Sequence, residues 1–252
     1  IYVLFDADVY LFCCRRHGLS VSVMRKQALG ILMLDTHFPR IPGDVGNEKS
    51  FSFPVVKKTV TGASTRRVVL EGDVSLLQPF LDAARALEAE GAAAITTSCG
   101  FLAMFQKELA DAVSIPVFAS ALLQCAQLAP MLKGGQAIGI LTADSRKLGE
   151  RHFRGVGIAH VPKVVYGMEG TSFGDVFVGD DPELDRETAR REMVRVARCM
   201  VDEHPEVGPI VLECTNMPPY ARAVGEATGR PVYDITTLAE TVMSSLIRTE
   251  FV

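Results

Sequence analysis

The chain has 252 residues, of which 48% are hydrophobic and 22% are charged, so it is long enough and apolar enough to bury one large core or two smaller ones. Its formal net charge of -4 gives no electrostatic reason to expect nucleic acid or an acidic membrane surface as a partner. Six cysteines in a chain of this length are not a disulfide framework, and neither a CxxC pair nor a metal-type histidine spacing is present. We therefore expect a reduced, cytoplasmic protein.

Residues 1–27 stand apart from the pattern that organises the rest of the chain. The stretch from Ile1 to Phe12 is apolar, but Asp6 and Asp8 interrupt it and no basic region precedes it. It is too short to span a bilayer and lacks the order of a signal peptide. We expect residues 1–27 to be an N-terminal extension without catalytic duty.

The first half of the remaining chain alternates short apolar runs with an amphipathic helical pattern. A buried strand, an extended piece, a helix and a second buried strand are predicted, in that order, over residues 28–34, 53–60, 75–90 and 92–97. The first strand ends at Asp35, and a loop rich in Pro and Gly follows it.

The second half has the same alternation. Strands are predicted over residues 136–142, 161–166 and 209–213, and helices over residues 144–153 and 181–203. Further apolar helical patterns cover residues 122–132 and 238–247. Strands that alternate with helices at this spacing indicate an α/β fold with mostly parallel sheets, in which ligands bind beyond the carboxyl ends of the strands.

Two stretches of the chain follow one plan, and each places a cysteine just after a strand. Cys99 follows one apolar run and Cys214 follows the other, and Pro116 and Pro231 each lie 17 residues further on. The repeat also includes one upstream strand in each half, residues 29–32 and 138–141. The duplication predicts two lobes that bring both thiols to one interface.

Two thiols at one interface suit proton transfer at a carbon centre. A thiolate on one face can accept a proton while a thiol on the other face supplies one, which is what racemisation without a cofactor requires. A helix N-terminus lowers a thiol pKa, and each cysteine precedes a predicted helix. Cys99 and Cys214 are therefore the predicted catalytic residues, whereas Cys125 and Cys199 fall within apolar helical patterns and are predicted to be core.

Small and polar neighbours of the two cysteines are candidates to bind a substrate. Ser98 and Gly100 flank Cys99, and Thr215 and Asn216 follow Cys214. Their hydroxyl and amide groups, together with free N–H groups at the helix starts, suit a substrate carboxylate and the enolate that develops from it.

These residues resemble the aspartate/glutamate racemase superfamily, whose members are cofactor-independent racemases that use two cysteines. The resemblance runs from about Leu29 to the C-terminus. It rests on five short motifs, at residues 34–36, 42–47, 97–100, 139–142 and 213–216. The residues around both cysteines differ from those of the glutamate racemase branch, and broader relatives, including hydantoin racemases, fit better.

The resemblance implies two pseudo-symmetric Rossmann-like lobes with the active site in the cleft between them. Residues 28–118 with 235–252 would form the first lobe and residues 119–234 the second. The resemblance also gives four residues the role of orienting the substrate or adjusting the thiol pKa values: Asp35, Thr142, Thr215 and Asn216. Asp35 serves equally well as a turn cap.

The expected function is a cofactor-independent amino-acid racemase for aspartate or glutamate, with no metal and with a small molecule as its substrate. We also expect a homodimer. One alternative is a hydantoin racemase, and another is a decarboxylase or cis–trans isomerase of the same superfamily in which one cysteine does the main work. A two-lobed binding protein without turnover is the alternative from a different class.

Overall fold

The computed structural model describes residues 28–248, so the prediction for residues 1–27 lies outside the described part. Within that range, eight strands form two parallel four-stranded sheets. The strands are β1 (Leu29–Leu34), β2 (Val55–Val60), β3 (Ala94–Thr97), β4 (Val117–Phe118), β5 (Ala137–Thr142), β6 (Lys163–Gly167), β7 (Val207–Leu212) and β8 (Val232–Tyr233).

Helices connect the strands, as parallel pairing requires. The α-helices are α1 (Leu77–Ala89), α2 (Gln106–Asp111), α3 (Leu123–Leu128), α4 (Glu150–Gly155), α5 (Ser172–Gly179), α6 (Arg186–Glu203), α7 (Ala221–Thr228) and α8 (Ile235–Leu246). The 3-10 helices are Glu48–Ser50, Val74–Leu76, Gly100–Phe105, Ala129–Met131 and Pro218–Tyr220, and Arg66–Glu71 is a π-helix.

The two sheets have the same topology. Their strand orders are β2-β1-β3-β4 and β6-β5-β7-β8, so β1 and β5 occupy equivalent places. Gly30 and Gly139 lie at equivalent points of these strands, and each leaves room for a neighbour: a Cβ would lie 3.2 Å from Leu87 Cδ1 at the first position and 2.6 Å from Met200 Cε at the second. The predicted α/β fold with two pseudo-symmetric lobes is confirmed.

Some predicted element boundaries are wrong for local reasons. The helix predicted from residue 144 begins only at Glu150, because the Asp144 carboxylate accepts the Arg146 N–H at 3.0 Å and holds a turn. The helix predicted from residue 181 begins at Arg186, because Asp185 accepts from the N–H groups of the following turn. Helix α5 was not predicted at all, since its glycine-rich sequence has a low helix propensity.

The core consists of two buried clusters, and the first of them extends from the first lobe into the second. One buried cluster combines the first sheet with Ile138 and Val211 of the second and with α4 and α8. At the junction, Gly155 of α4 packs against the 3-10 helix Gly100–Phe105, where a Cβ on Gly155 would lie only 2.1 Å from the Ala103 carbonyl oxygen. The lobe boundaries at residues 118 and 235 stay a prediction.

In the part of the chain that the structure describes, none of the helices combines the length and the apolar character needed to cross a membrane.

We expect Gly155→Ala to lower the free energy of unfolding by about 1–3 kcal/mol. The added methyl group would overlap the Ala103 carbonyl group, which is backbone and cannot shift without moving its helix. Gly179→Ala is the matched control, since a Cβ there has no neighbour within 4 Å and alanine is the better helix former. Urea denaturation of both variants measures the difference. Equal midpoints for Gly155→Ala and the wild type would contradict this packing.

Candidate active site

One pocket opens between the lobes at the carboxyl ends of the strands. It holds about 330 Å³ of empty space, including its open mouth. Both lobes supply its walls. They consist of Leu34, Phe38, Thr65, Val69, Ser98, Cys99, Gly100, Phe101, Ala143, Phe177, Glu213, Cys214 and Asn216.

The two cysteine segments touch each other directly. The Thr215 hydroxyl donates to the Ser98 carbonyl oxygen at 2.7 Å. Glu213 fills the space beside Gly100, where a Cβ would lie 2.2 Å from Glu213 Oε1. Because these contacts join the ends of β3 and β7, Cys99 and Cys214 line the same pocket.

Both thiols are buried and neutral in the free protein. Cys99 is 8% exposed and Cys214 is 9% exposed. Burial, with the nearby Glu213 carboxylate, raises the pKa of Cys99 to about 12 and the pKa of Cys214 well above its ordinary value. The Phe101 and Leu102 N–H groups oppose this rise at Cys99, since Cys99 is the N-cap residue of the 3-10 helix that follows it.

A chain of hydrogen bonds fixes Cys214 from behind. Its thiol donates to Asn216 Oδ1 at 3.3 Å, and Asn216 Nδ2 donates to Asp44 Oδ2 at 2.6 Å. Asp44 is 1% exposed and pairs with Arg40, whose Nη1 lies 3.0 Å from Asp44 Oδ1. The loop after β1 thus reaches across to the second cysteine.

A buried carboxyl group lies beside both cysteines. Glu213 is fully buried, and its Oε2 accepts the Thr142 hydroxyl at 2.7 Å. Burial raises the pKa of Glu213 to about 7, and the Thr142 hydrogen bond opposes the rise. Glu213 Oε1 has no partner among the described residues.

Aromatic rings from both lobes close the pocket. The Phe38 and Phe177 rings meet edge to face with centroids 4.9 Å apart. Asp180, in the left-handed region at φ 60, accepts the His37 N–H at 2.6 Å and the Phe38 N–H at 3.2 Å. This clamp holds the loop after β1 against the end of α5.

The structure brings most of the predicted site residues together. Ser98, Gly100 and Asn216 line the pocket with the two cysteines. Thr142 and Thr215 lie behind its wall, where they hold Glu213 and Ser98.

Asp35 is separate from this group. Its carboxylate accepts the Gly62 N–H at 2.9 Å, and its side chain is not part of the pocket wall. It serves as a turn cap in this structure, which is the second of the two roles considered for it.

Three residues of the site were missed by sequence reasoning. Glu213 and Asp44 fall within short motifs of the family resemblance without a predicted role, and Thr65 belongs to none of these motifs. A carboxylate directly after an apolar strand and before a cysteine was the available signal for Glu213. Nothing in the sequence indicates that Asp44 and Thr65 are buried.

The four cysteines among residues 28–248 are free thiols: Cys99, Cys125, Cys199 and Cys214. Over the same range, no group of three or more His, Cys, Asp or Glu side chains has the arrangement of a metal site.

Comparison with known proteins places this arrangement in a family. The sequence profile of the family described as Asp/Glu/Hydantoin racemase matches residues 60–241. The chain belongs to this Asp/Glu/hydantoin racemase family. The predicted resemblance is therefore confirmed.

Curated proteins of similar sequence are named for a different activity from the predicted one. The chain is 34% identical over 225 residues to a dimethylsulfoniopropionate lyase of Durusdinium sp. clade D, covering 86% of this chain and 74% of that protein. It is 31% identical over 254 residues to dimethylsulfoniopropionate lyase 5 of Emiliania huxleyi (strain CCMP1516), covering 95% of this chain but only 50% of that protein. The prediction of an amino-acid racemase, and with it the isomerase class, is wrong, because these relatives are lyases.

A solved structure agrees on the fold. Unliganded arylmalonate decarboxylase matches with a TM-score of 0.60 at 15% identity, covering 87% of this chain and 91% of that one. At this identity the match supports the fold alone.

The raised thiol pKa values predict slow alkylation at neutral pH. In a titration with iodoacetamide, site-resolved by mass spectrometry, labelling of Cys99 should still be rising above pH 9, because its pKa is raised to about 12. The half-buried Cys199 serves as an internal check on the reagent. A labelling plateau for Cys99 below pH 9 would show that the thiol is activated in the free protein.

Replacement of Arg40 by an uncharged residue should leave the buried Asp44 carboxylate without its cationic partner. We expect Arg40→Met to lower the free energy of unfolding by about 3 kcal/mol, the usual cost of breaking a buried ion pair. Arg222→Met breaks a fully exposed pair with Glu226 and should leave the urea midpoint almost unchanged. If both variants unfold at the same midpoint, the Arg40–Asp44 pair does not stabilise the site.

Proposed function

We propose that this chain is a lyase that cleaves dimethylsulfoniopropionate by β-elimination. A cysteine thiolate removes a proton from the α-carbon, and the C–H electron pair forms the new C=C bond. The C–S bond breaks with its electron pair on sulfur, so the products are dimethyl sulfide and acrylate. The proton ends on the thiol, which returns it to solvent.

The composition of the pocket wall is the observation that carries this proposal. No Lys, Arg or His side chain is among the residues that line the pocket, while three Phe rings are. A dicarboxylic amino acid needs a cation for its second carboxylate, which this wall does not supply. A sulfonium carboxylate carries its own positive charge, and aromatic faces attract such a cation.

Elimination also fits the state of the thiols better than racemisation does. Racemisation needs a base and an acid on opposite faces of one carbon, whereas elimination needs one base and a leaving group. Both thiols are neutral in the empty pocket because burial disfavours their charged form. A bound sulfonium cation would stabilise a neighbouring thiolate, so the base would form mainly when the substrate is present.

The carboxylate end of the substrate also has a candidate partner in the pocket. Thr65 is 6% exposed and lines the wall, and its hydroxyl has no hydrogen-bond partner among the described residues. We propose that Thr65 donates to the substrate carboxylate. Ser98, Gly100 and Asn216, which share the wall, would position the α-carbon against the thiols.

The relatives are longer than this chain, which spans 74% of one and 50% of the other. Activity of the chain on its own is therefore part of the proposal. The expected homodimer and the expected cytoplasmic location stay predictions.

Replacement of each cysteine by serine tests the one-base scheme. We expect one of Cys99→Ser and Cys214→Ser to lose about 10³-fold in kcat/KM, the usual size of a general-base contribution, and the other to lose less. Dimethyl sulfide is measured in the headspace and acrylate by NMR, with Cys199→Ser as the control. Wild-type rates in both variants, or products in unequal amounts, would overturn the proposed elimination.

A further inference from the structure

Glu213 is the acidic group of the pocket whose charge no described cation balances. It is fully buried, lines the pocket and forms no salt bridge among the described residues. The Thr142 hydroxyl satisfies Oε2, but Oε1 remains without a partner. An unpaired buried carboxylate is costly, so a position of this kind calls for an explanation.

We propose that Glu213 is the specificity-determining counter-ion of the pocket, which selects substrates that carry a cationic sulfonium group over neutral molecules of the same shape. This inference rests on the proposed function, because it takes the substrate to be a sulfonium carboxylate. It assigns to Glu213 the recognition of charge and leaves proton abstraction to the cysteines.

The packing of Glu213 supports a fixed position for that charge. Gly100 leaves space for the carboxyl group, since any Cβ at that position would overlap Oε1 at 2.2 Å. The Thr142 hydroxyl holds the other oxygen at 2.7 Å. A carboxylate that is already oriented loses little entropy when a ligand binds, and a charge pair in a dry pocket is much stronger than in water.

The apolar walls of the pocket accept charged and neutral ligands of the same shape, so selection between such ligands depends on charge. Phe38, Phe101 and Phe177 offer surface to any methyl-bearing group, whether it is charged or neutral. Aromatic faces add a preference for a cation, but they do not repel an isopropyl group. Discrimination between a sulfonium group and its carbon isostere therefore has to come mainly from Glu213.

The charged and titratable groups around Glu213 determine how the affinity for a cationic ligand depends on pH. Cys99 and Cys214 face it and are neutral in the free pocket, while Asp44 and Arg40 form an ion pair further back. A bound cation stabilises the ionised carboxyl group, and the pKa of Glu213 in the empty pocket is about 7. Affinity for a cation should therefore fall as the pH drops below 7, and binding near pH 7 should release protons.

A pair of unreactive probes isolates the charge. Dimethylsulfonioacetate carries the sulfonium group on the α-carbon and has no β-carbon, so it cannot undergo the elimination. Its isostere 3-methylbutanoate replaces the sulfur cation by a neutral carbon and keeps the carboxylate. Isothermal titration calorimetry at pH 8 gives Kd for each probe with the wild type, with Glu213→Gln and with the exposed control Glu183→Gln.

We expect the wild type and Glu183→Gln to bind dimethylsulfonioacetate at least about tenfold more tightly than 3-methylbutanoate. Glu213→Gln should lose most of that preference, because its amide keeps the shape but not the charge. Retention of the full preference in Glu213→Gln would overturn the inference, as would the lack of a preference in the wild type.

A variant without either thiol keeps the test decisive if Glu213→Gln does not fold. In Cys99→Ser/Cys214→Ser, Glu213 is the one titratable group among the described residues that line the pocket. Titrations of dimethylsulfonioacetate into this variant at pH 7, in two buffers of different ionisation enthalpy, measure the protons released on binding. Release of a fraction of a proton supports the inference, and the absence of release contradicts it.

The probes also separate the two proposals. Preference for the cationic probe in a protein that does not cleave dimethylsulfoniopropionate would retain Glu213 as the counter-ion and remove the proposed reaction. Cleavage by a Glu213→Gln variant that still prefers the cation would do the reverse.

Discussion

The close contact between the two cysteine segments is the constraint on which the site depends. Glu213 occupies the volume that a side chain at position 100 would need, and Thr215 donates to the Ser98 carbonyl. These contacts lock the end of β3 to the end of β7. A shared pocket for two thiols then follows from the fold, because each sheet delivers its cysteine at the same point of the same topology.

The same contact buries both thiols and the Glu213 carboxyl group, and this burial determines which protonation states the site can use. Both thiols and the Glu213 carboxyl group lose solvation, so burial raises the pKa of all three, and that of Glu213 is about 7 in the empty pocket. A cationic ligand reverses this balance for each of them. The fold has racemases and a decarboxylase among its structural relatives. In this chain the described residues that line the pocket include no basic side chain, and in the proposed reaction the substrate supplies the positive charge.

The sequence was sufficient for the architecture because the duplication is visible in it. Equivalent apolar strands, cysteines and prolines predict two like lobes and place Cys99 and Cys214 together. The sequence was insufficient for Glu213, because its role depends on the missing side chain of Gly100 more than a hundred residues away. The helix α5 was missed for a different reason, since tertiary packing of Phe173 and Phe177 outweighs a glycine-rich local sequence. The racemase prediction was wrong, as the lyase relatives show, because a pair of thiols is equally compatible with one-base chemistry.

A crystal structure with dimethylsulfonioacetate bound is the most direct test of the account. We predict that the probe lies in the pocket with its methylene carbon about 3.5 Å from a Sγ atom of Cys99 or Cys214, close to a reactive approach. Its sulfonium group should face Glu213 and the Phe rings, and its carboxylate should face Thr65. A probe bound elsewhere on the protein, or bound with its carboxylate against Glu213, would contradict the account.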